Sequence, residues 1–208
     1  MTPLFVDLNA KQIIIFGGGD VAARKAKFFV RDAEVIIFSR SFSNAITDLP
    51  VKRQKIDIKE LSDVELNNII ENAFICVAAL SDQEQNNRIG EICKRKRILF
   101  NNAFGDNGDL IIPSAIYGKH YLIAVSTDGK SPATSRFIRE HLESEFPCLD
   151  AMISLQSIVR KKLIRIEPLQ KKRREILWEI LHDPDVWDAL GRSIDDANEF
   201  VMRRYLHG

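Results

Sequence analysis

Long apolar runs are missing from this 208-residue chain. None approaches the length of a bilayer span, and no basic segment followed by an apolar stretch opens it, so the expected location is the cytosol, with no membrane partner. Cysteine is scarce. Cys76, Cys93 and Cys148 are odd in number and show no C-x-x-C spacing, which argues against a disulfide framework and a zinc site. The four histidines, His120, His141, His182 and His207, never pair at ligand spacing, so no metal site is expected. An excess of one charge is absent too. Thirty Lys and Arg stand against 29 Asp and Glu, a formal net charge of +1, so no global field draws the chain to nucleic acid or an anionic surface. Any anionic ligand must be held by local groups.

What the chain does have is an unbroken apolar run, Ile13-Ile14-Ile15-Phe16, ending in Gly17-Gly18-Gly19-Asp20. A run of this kind reads as a parallel strand buried on both faces of an α/β sheet. Gly17, Gly19 and Ala22 fit G-x-G-x-x-A: one glycine for the tight turn, one for close backbone approach to a pyrophosphate, one small residue for helix–strand packing. The helix expected over residues 21–30 then aims its unpaired N–H groups at the phosphates. A second strand, Glu34–Ser39, completes the βαβ unit and ends in Ser39-Arg40-Ser41. No carboxylate stands there to hold a ribose diol. Ser39 or Ser41 can bond a ribose hydroxyl, and Arg40 either pairs with the extra phosphate of NADP or is a solvated residue at a strand end. On these residues alone the choice between NAD and NADP stays open.

Further along, the pattern predicts an edge segment over residues 2–8 and strands over 51–58, 73–79 and 98–100. Helices over 63–71 and 83–95 alternate with them. This alternation implies a parallel, helix-covered, Rossmann-like sheet closing near Pro113. A strand over 121–126 follows, then a polar turn and an amphipathic helix over 133–145, with Ser131 as N-cap and Pro132 at the first helical position. From residue 149 onward only helical periods appear, over 152–166, 168–182, a short segment after Pro184, and 193–206 with Ser193 as cap. The pattern thus breaks near Pro113 and near Leu149, dividing the chain into a dinucleotide-binding part, residues 1–113, a middle segment, 114–148, and a small all-helical part, 149–208. The basic run Lys171-Lys172-Arg173-Arg174 reads as an exposed helix face.

Several segments together resemble the precorrin-2 dehydrogenase family, the dehydrogenase module of siroheme synthases, over nearly the whole chain. Pro3-Leu4-Phe5-Val6-Asp7-Leu8-Asn9-Ala10-Lys11 resembles its opening segment, and Gly17-Gly18-Gly19-Asp20-Val21-Ala22-Ala23-Arg24-Lys25 its glycine turn. Ala78-Ala79-Leu80-Ser81-Asp82-Gln83-Glu84-Gln85-Asn86 and Asp109-Leu110-Ile111-Ile112-Pro113-Ser114 are looser counterparts. Residues 124–143 are the most specific, with Ser126, Thr127, Gly129, Lys130, Ser131, Pro132, Arg136, Arg139, Glu140, Leu142 and Glu143 in place.

The resemblance implies a homodimeric enzyme that oxidises precorrin-2 to sirohydrochlorin with NAD, NADP being left open, and in some members inserts ferrous iron into the product; it makes residues 1–113 the NAD(P)-binding domain, 114–148 the dimerisation segment and 149–208 the helical domain. The dinucleotide-contacting set expected here is Gly17, Gly18, Gly19, Asp20, Val21, Ser39, Arg40, Ala78, Ala79 and Asn101. The family carries a basic Asp after the strand matching residues 98–100; this chain has Phe104 there, which cannot take a proton. Asp106 and Asp109 are the nearby substitutes, Asp106 favoured because Gly105 and Gly108 let the loop re-aim it. For the carboxylate-rich substrate the candidates are Ser126, Thr127, Lys130, Ser131, Arg136 and Arg139, at the N-terminal end of one helix and along it. Arginines so spaced can equally be the helix's solvated or dimer-facing side. Asp128 stands where the family has glycine. The alternative to an enzyme is a non-catalytic dinucleotide- or tetrapyrrole-binding sensor or carrier of the same fold, kept open by Phe104.

Overall fold

The computed structural model describes residues 1–105 and 108–206. It divides into two compact units, Met1–Ile112 and Pro113–Gly208.

The first unit is built on β1 (Gln12–Phe16), whose apolar residues alternate between two cores. Ile14 and Phe16 face a layer containing Leu66, Ile70, Ile89 and Ile92, while Ile13 and Ile15 face Ala22, Ala23, Ala26 and Phe29. A strand apolar at every position is thus buried on both sides, each isoleucine contributing roughly 1.5–3 kcal/mol of transfer free energy. Beside β1 run β2 (Glu34–Ser39) and β4 (Ile75–Ala78), and outside these lie β3 (Lys52–Lys55) and β5 (Leu99–Asn102). The order is β3-β2-β1-β4-β5, every pair parallel, with Ile15 between Ile37 and Val77. Helix α1 (Asp20–Phe29) lies against one face and α3 (Asp63–Ile70) and α4 (Gln83–Lys96) against the other; a four-residue helix, α2 (Asn44–Thr47), follows β2. This is the expected α/β Rossmann-like sheet, and its strand order reverses between β2-β1 and β4, where open α/β sheets open a crevice for ligands.

Two details depart from the reading of the sequence. Residues 2–8 form no strand: Leu4 and Phe5 are exposed, and only Leu8 packs on the core. The strand expected over 51–58 shrinks to β3, whose Lys52, Arg53, Gln54 and Lys55 are all exposed, a charged edge of the kind that discourages further strand pairing.

The second unit opens with an antiparallel pair, β6 (Ser114–Tyr117) and β7 (Leu122–Val125). Helix α5 (Pro132–Glu145) packs on this pair, followed by α6 (Leu149–Ile166), α7 (Gln170–His182), α8 (Pro184–Arg192) and α9 (Ile194–Val201), which ends in a π turn, Met202–Leu206. Met152, Leu155, Val159 and Leu163 recur along one stripe of α6 and bury themselves against Ile180, Val186, Ala189, Leu190, Ala197 and Val201. The Asp150 carboxylate accepts the Lys119 and His120 N–H groups at 3.0 and 2.8 Å, tying the strand connection to α6. The caps read from the sequence are present: Ser131 Oγ accepts the Thr134 N–H and Ser193 Oγ the Asp196 N–H.

Candidate functional site

The turn from β1 into α1 is held by backbone bonds to both neighbouring strands. Gly17 N–H donates to Phe38 O at 2.9 Å, Ser43 N–H to Gly18 O at 2.8 Å, and Ala79 N–H to Phe16 O at 2.7 Å. Each glycine has its own reason. Gly17 takes φ +127°, and a Cβ there would run into the Ala79 carbonyl; a Cβ on Gly18 would run into Ser39 and the Ser41 carbonyl. At Gly19 a Cβ would meet nothing within 4 Å. That opening is the cradle that close approach of a phosphate requires. Gly19 is also the N-cap of α1 and offers no side chain to its first-turn N–H groups, whereas α3 and α4 are capped by Ser62 and Asp82. The first-turn N–H groups of α1 thus remain for an anion.

In front of this turn lies a cleft of about 740 Å³. Gly17, Gly18, Gly19, Asp20, Val21, Ser39, Arg40 and Ala79, eight of the expected dinucleotide contacts, line it together. Ala78 is wholly buried in β4, and Asn101 sits at the end of β5 with its Nδ2 donating to Leu110 O at 2.9 Å; neither lines the cleft. The wall also carries residues that the sequence reading missed: Asp57 and Lys59 from beyond β3, Asp82 at the start of α4, Ser43 and the half-exposed Phe104. Asp82 had a local signal, a helix N-cap position. Asp57 had none, because strand pairing beside β2 brings it there.

Two ion pairs cross this wall. Arg40 lies 3.6 Å from Asp57, and Lys59 lies 2.6 Å from Asp82. The hydrogen bond from Lys59 holds the Asp82 carboxyl below its usual range, helped by the Gln85 and Glu84 N–H groups, and Asp82 in turn raises the Lys59 ammonium. Behind the wall, fully buried Asn86 both accepts the Leu80 N–H at 3.1 Å and donates to the Leu80 carbonyl at 2.9 Å, fixing the loop that follows β4. Ser43 Oγ is buried with no hydrogen-bond partner among the described residues. The open cradle at Gly19, the uncapped helix start and this unpartnered hydroxyl suit a phosphate-bearing, hydroxyl-rich ligand.

Of the carboxylates considered for proton transfer, Asp106 lies outside the described residues. Asp109 accepts the Phe100 N–H at 3.1 Å, and its own N–H bonds the Phe100 carbonyl at 2.8 Å. It anchors its loop to β5 and does not line the cleft.

In the second unit, Ser126, Thr127, Lys130 and Ser131 gather on the β7–α5 turn. Thr127 Oγ1 accepts the Ser131 N–H at 3.0 Å and lies 3.1 Å from Ser135 Oγ, while Ser126 Oγ accepts the Asp128 N–H. Asp128 has φ +55°, a left-handed conformation that aspartate tolerates better than most residues. This explains how it occupies a family glycine position. Arg136 and Arg139 do share a helix face, since both reach Glu140, at 2.7 and 3.1 Å, and Arg139 also reaches Glu143 at 2.6 Å. Their charges are partly answered within α5. On α7, Lys171, Lys172 and Arg174 are exposed, and Arg173 donates to the Glu167 and Pro168 carbonyls. No helix of the described residues is long and apolar enough to cross a membrane.

Comparison with known proteins bears on both units. A family described as putative NAD(P)-binding matches residues 4–114, and one described as sirohaem biosynthesis protein central matches residues 123–145. A precorrin-2 dehydrogenase of Methanosarcina barkeri is 37% identical over 202 residues, covering 95% of this chain and 90% of that protein. A putative precorrin-2 dehydrogenase of Methanocaldococcus jannaschii is 30% identical, covering 94% of this chain and 97% of its own length. Against a siroheme synthase of Sodalis glossinidius, 31% identical, the chain spans 37% of the longer protein. The solved structure of SirC, a precorrin-2 dehydrogenase, superposes with a TM-score of 0.67 at 25% identity, over 98% of both chains. The nucleotide turn, the segment after β7 and the two precorrin-2 dehydrogenases matched over nine-tenths or more of their length agree: the chain belongs to the precorrin-2 dehydrogenase family.

Proposed function

We propose that this protein oxidises precorrin-2 to sirohydrochlorin, with NAD as the hydride acceptor. The observation that carries this reading is the conjunction, in one chain matched end to end by precorrin-2 dehydrogenases, of a glycine cradle open at Gly19 with the specific segment that follows β7. A dinucleotide held there would supply the hydride acceptor for the tetrapyrrole. The chain's own residues do the rest. Gly17, Gly18 and Gly19 let the backbone approach the pyrophosphate, and the first N–H groups of α1 donate to it. Ser39, Arg40 and Asp57 bracket the adenosine ribose, and Ala79 and Phe104 supply the apolar wall. Ser126, Thr127, Lys130 and Ser131 hold carboxylates of the substrate at the start of α5, with Arg136 and Arg139 beyond them. Lys130 forms no ion pair with a described residue, so its ammonium is available to an anionic ligand. With Asp109 bonded to Phe100, we assign the departing proton to the Asp106 carboxylate.

The same reading gives a cytoplasmic homodimer formed through residues 114–148, with residues 149–208 as the helical domain. The exposed Leu122, Phe137 and Ile138 on β7 and α5 support that surface. Ferrous iron would be a second substrate, not a resident metal. The test is direct: the full chain, given precorrin-2 and NAD, should form sirohydrochlorin and NADH together, and added ferrous iron then reports chelation separately. Tight dinucleotide binding with no product would replace the enzyme by the sensor or carrier reading.

A further inference from the structure

In a dinucleotide fold a carboxylate at the end of β2 ordinarily holds the adenosine ribose. Here β2 ends in Ser39, only 9% exposed, with Gly18 seated directly against its side chain. That packing leaves little room for an acid at this position. A carboxylate nevertheless reaches the same corner of the cleft from the neighbouring strand. Ser39 pairs in register with Lys55, the Ile56 N–H donates to the Ser39 carbonyl at 3.0 Å, and the next residue is Asp57. Its Oδ1 accepts the Lys59 N–H at 3.0 Å, which fixes the carboxylate, and its Oδ2 faces Arg40 at 3.6 Å.

We propose that Asp57, through its pair with Arg40, is the residue that sets this site for NAD against NADP. The inference rests on the dehydrogenase reading above and deepens it. Arg40 alone would invite a 2′-phosphate. Paired with Asp57 it does not, because the phosphate must displace a carboxylate already in place. The second cation of the wall, Lys59, is taken by Asp82 at 2.6 Å. Arg40 and Lys59 are the cations lining the cleft, against the carboxylates of Asp20, Asp57 and Asp82. A further dianion therefore enters a cleft that already carries net negative charge, whereas an unphosphorylated ribose brings hydroxyl donors that Asp57 accepts.

The Arg40 side chain is 73% exposed, so breaking the pair costs little stability and the variants should fold. The test is calorimetric titration of the full chain with NAD and with NADP, for the wild type, Asp57→Asn, Arg40→Ala and the double variant. The wild type should bind NAD more tightly. Asp57→Asn should move the affinity ratio toward NADP by about tenfold or more, the scale of one charge-assisted hydrogen bond, and the double variant should lose that gain. An unchanged ratio in Asp57→Asn, a shift that persists without Arg40, or a wild type that prefers NADP overturns the assignment while leaving the dehydrogenase reading intact. A wild type that binds neither dinucleotide overturns both.

Discussion

Alanine at Gly17 and alanine at Gly19 should separate folding from cofactor binding. At Gly17 the backbone has φ +127° and a Cβ meets the Ala79 carbonyl. A conformation of this kind costs an L-residue on the order of 1–3 kcal/mol, and forcing the overlap adds roughly 1–3 kcal/mol. With about 2–4 °C lost per kcal/mol in a chain of this length, the melting temperature should fall by about 4 °C or more. At Gly19 the backbone is ordinary, φ −91°, and the Cβ points into open space. The unfolded chain loses entropy, a gain of about 0.4–1 kcal/mol, and alanine is the poorer N-cap by a similar amount. Stability should therefore stay within about 0.5 kcal/mol of wild type. The methyl group occupies the space a pyrophosphate needs, and losing one charge-assisted hydrogen bond weakens NAD binding about 10- to 150-fold. Thermal unfolding of the ligand-free variants followed by NAD titration reads both quantities. Wild-type NAD affinity in Gly19→Ala, or a melting temperature as low as that of Gly17→Ala, would refute the reasoning.

Asp106→Asn should abolish most turnover while leaving NAD affinity unchanged; wild-type turnover in steady-state kinetics would move the base elsewhere. Asn86→Ala leaves both the N–H and the carbonyl of Leu80 without their partner, at about 1–3 kcal/mol for each group left unsatisfied, so urea unfolding should show a loss of at least about 2 kcal/mol. Ser131→Ala removes the α5 cap and should cost about 1 kcal/mol by the same measurement. Burial, together with the bond its hydroxyl donates to Asp183 at 2.8 Å, pushes the Tyr205 phenol up to about 12. The folded state therefore holds this proton more tightly than the unfolded chain. The resulting stabilisation is complete below pH about 10 and disappears as pH rises toward about 12. The stability difference between wild type and Tyr205→Phe should shrink across that window, and a constant difference would contradict the assignment.

The βαβ unit was legible because its signals are local: an all-apolar strand, a glycine turn and a helix whose small residues face the sheet. Ser131 and Ser193 were legible as caps for the same reason. Strand β6 was not, since Ser114–Tyr117 has one fully buried residue, Ile116, and no clear alternation. Asp57 was invisible as a ribose-side carboxylate because its place depends on the Ser39–Lys55 register, which is set by sheet formation and not by sequence spacing. Asp128 drew notice as a missing glycine, but only its positive φ explains how aspartate serves there.

The most direct test of the account is a crystal structure of the protein with NAD. The pyrophosphate should lie across Gly17–Gly19 at the start of α1, with the adenosine ribose against Asp57 and Arg40. A dinucleotide bound elsewhere, or a glycine turn closed by its own side-chain neighbours in the presence of NAD, would contradict it.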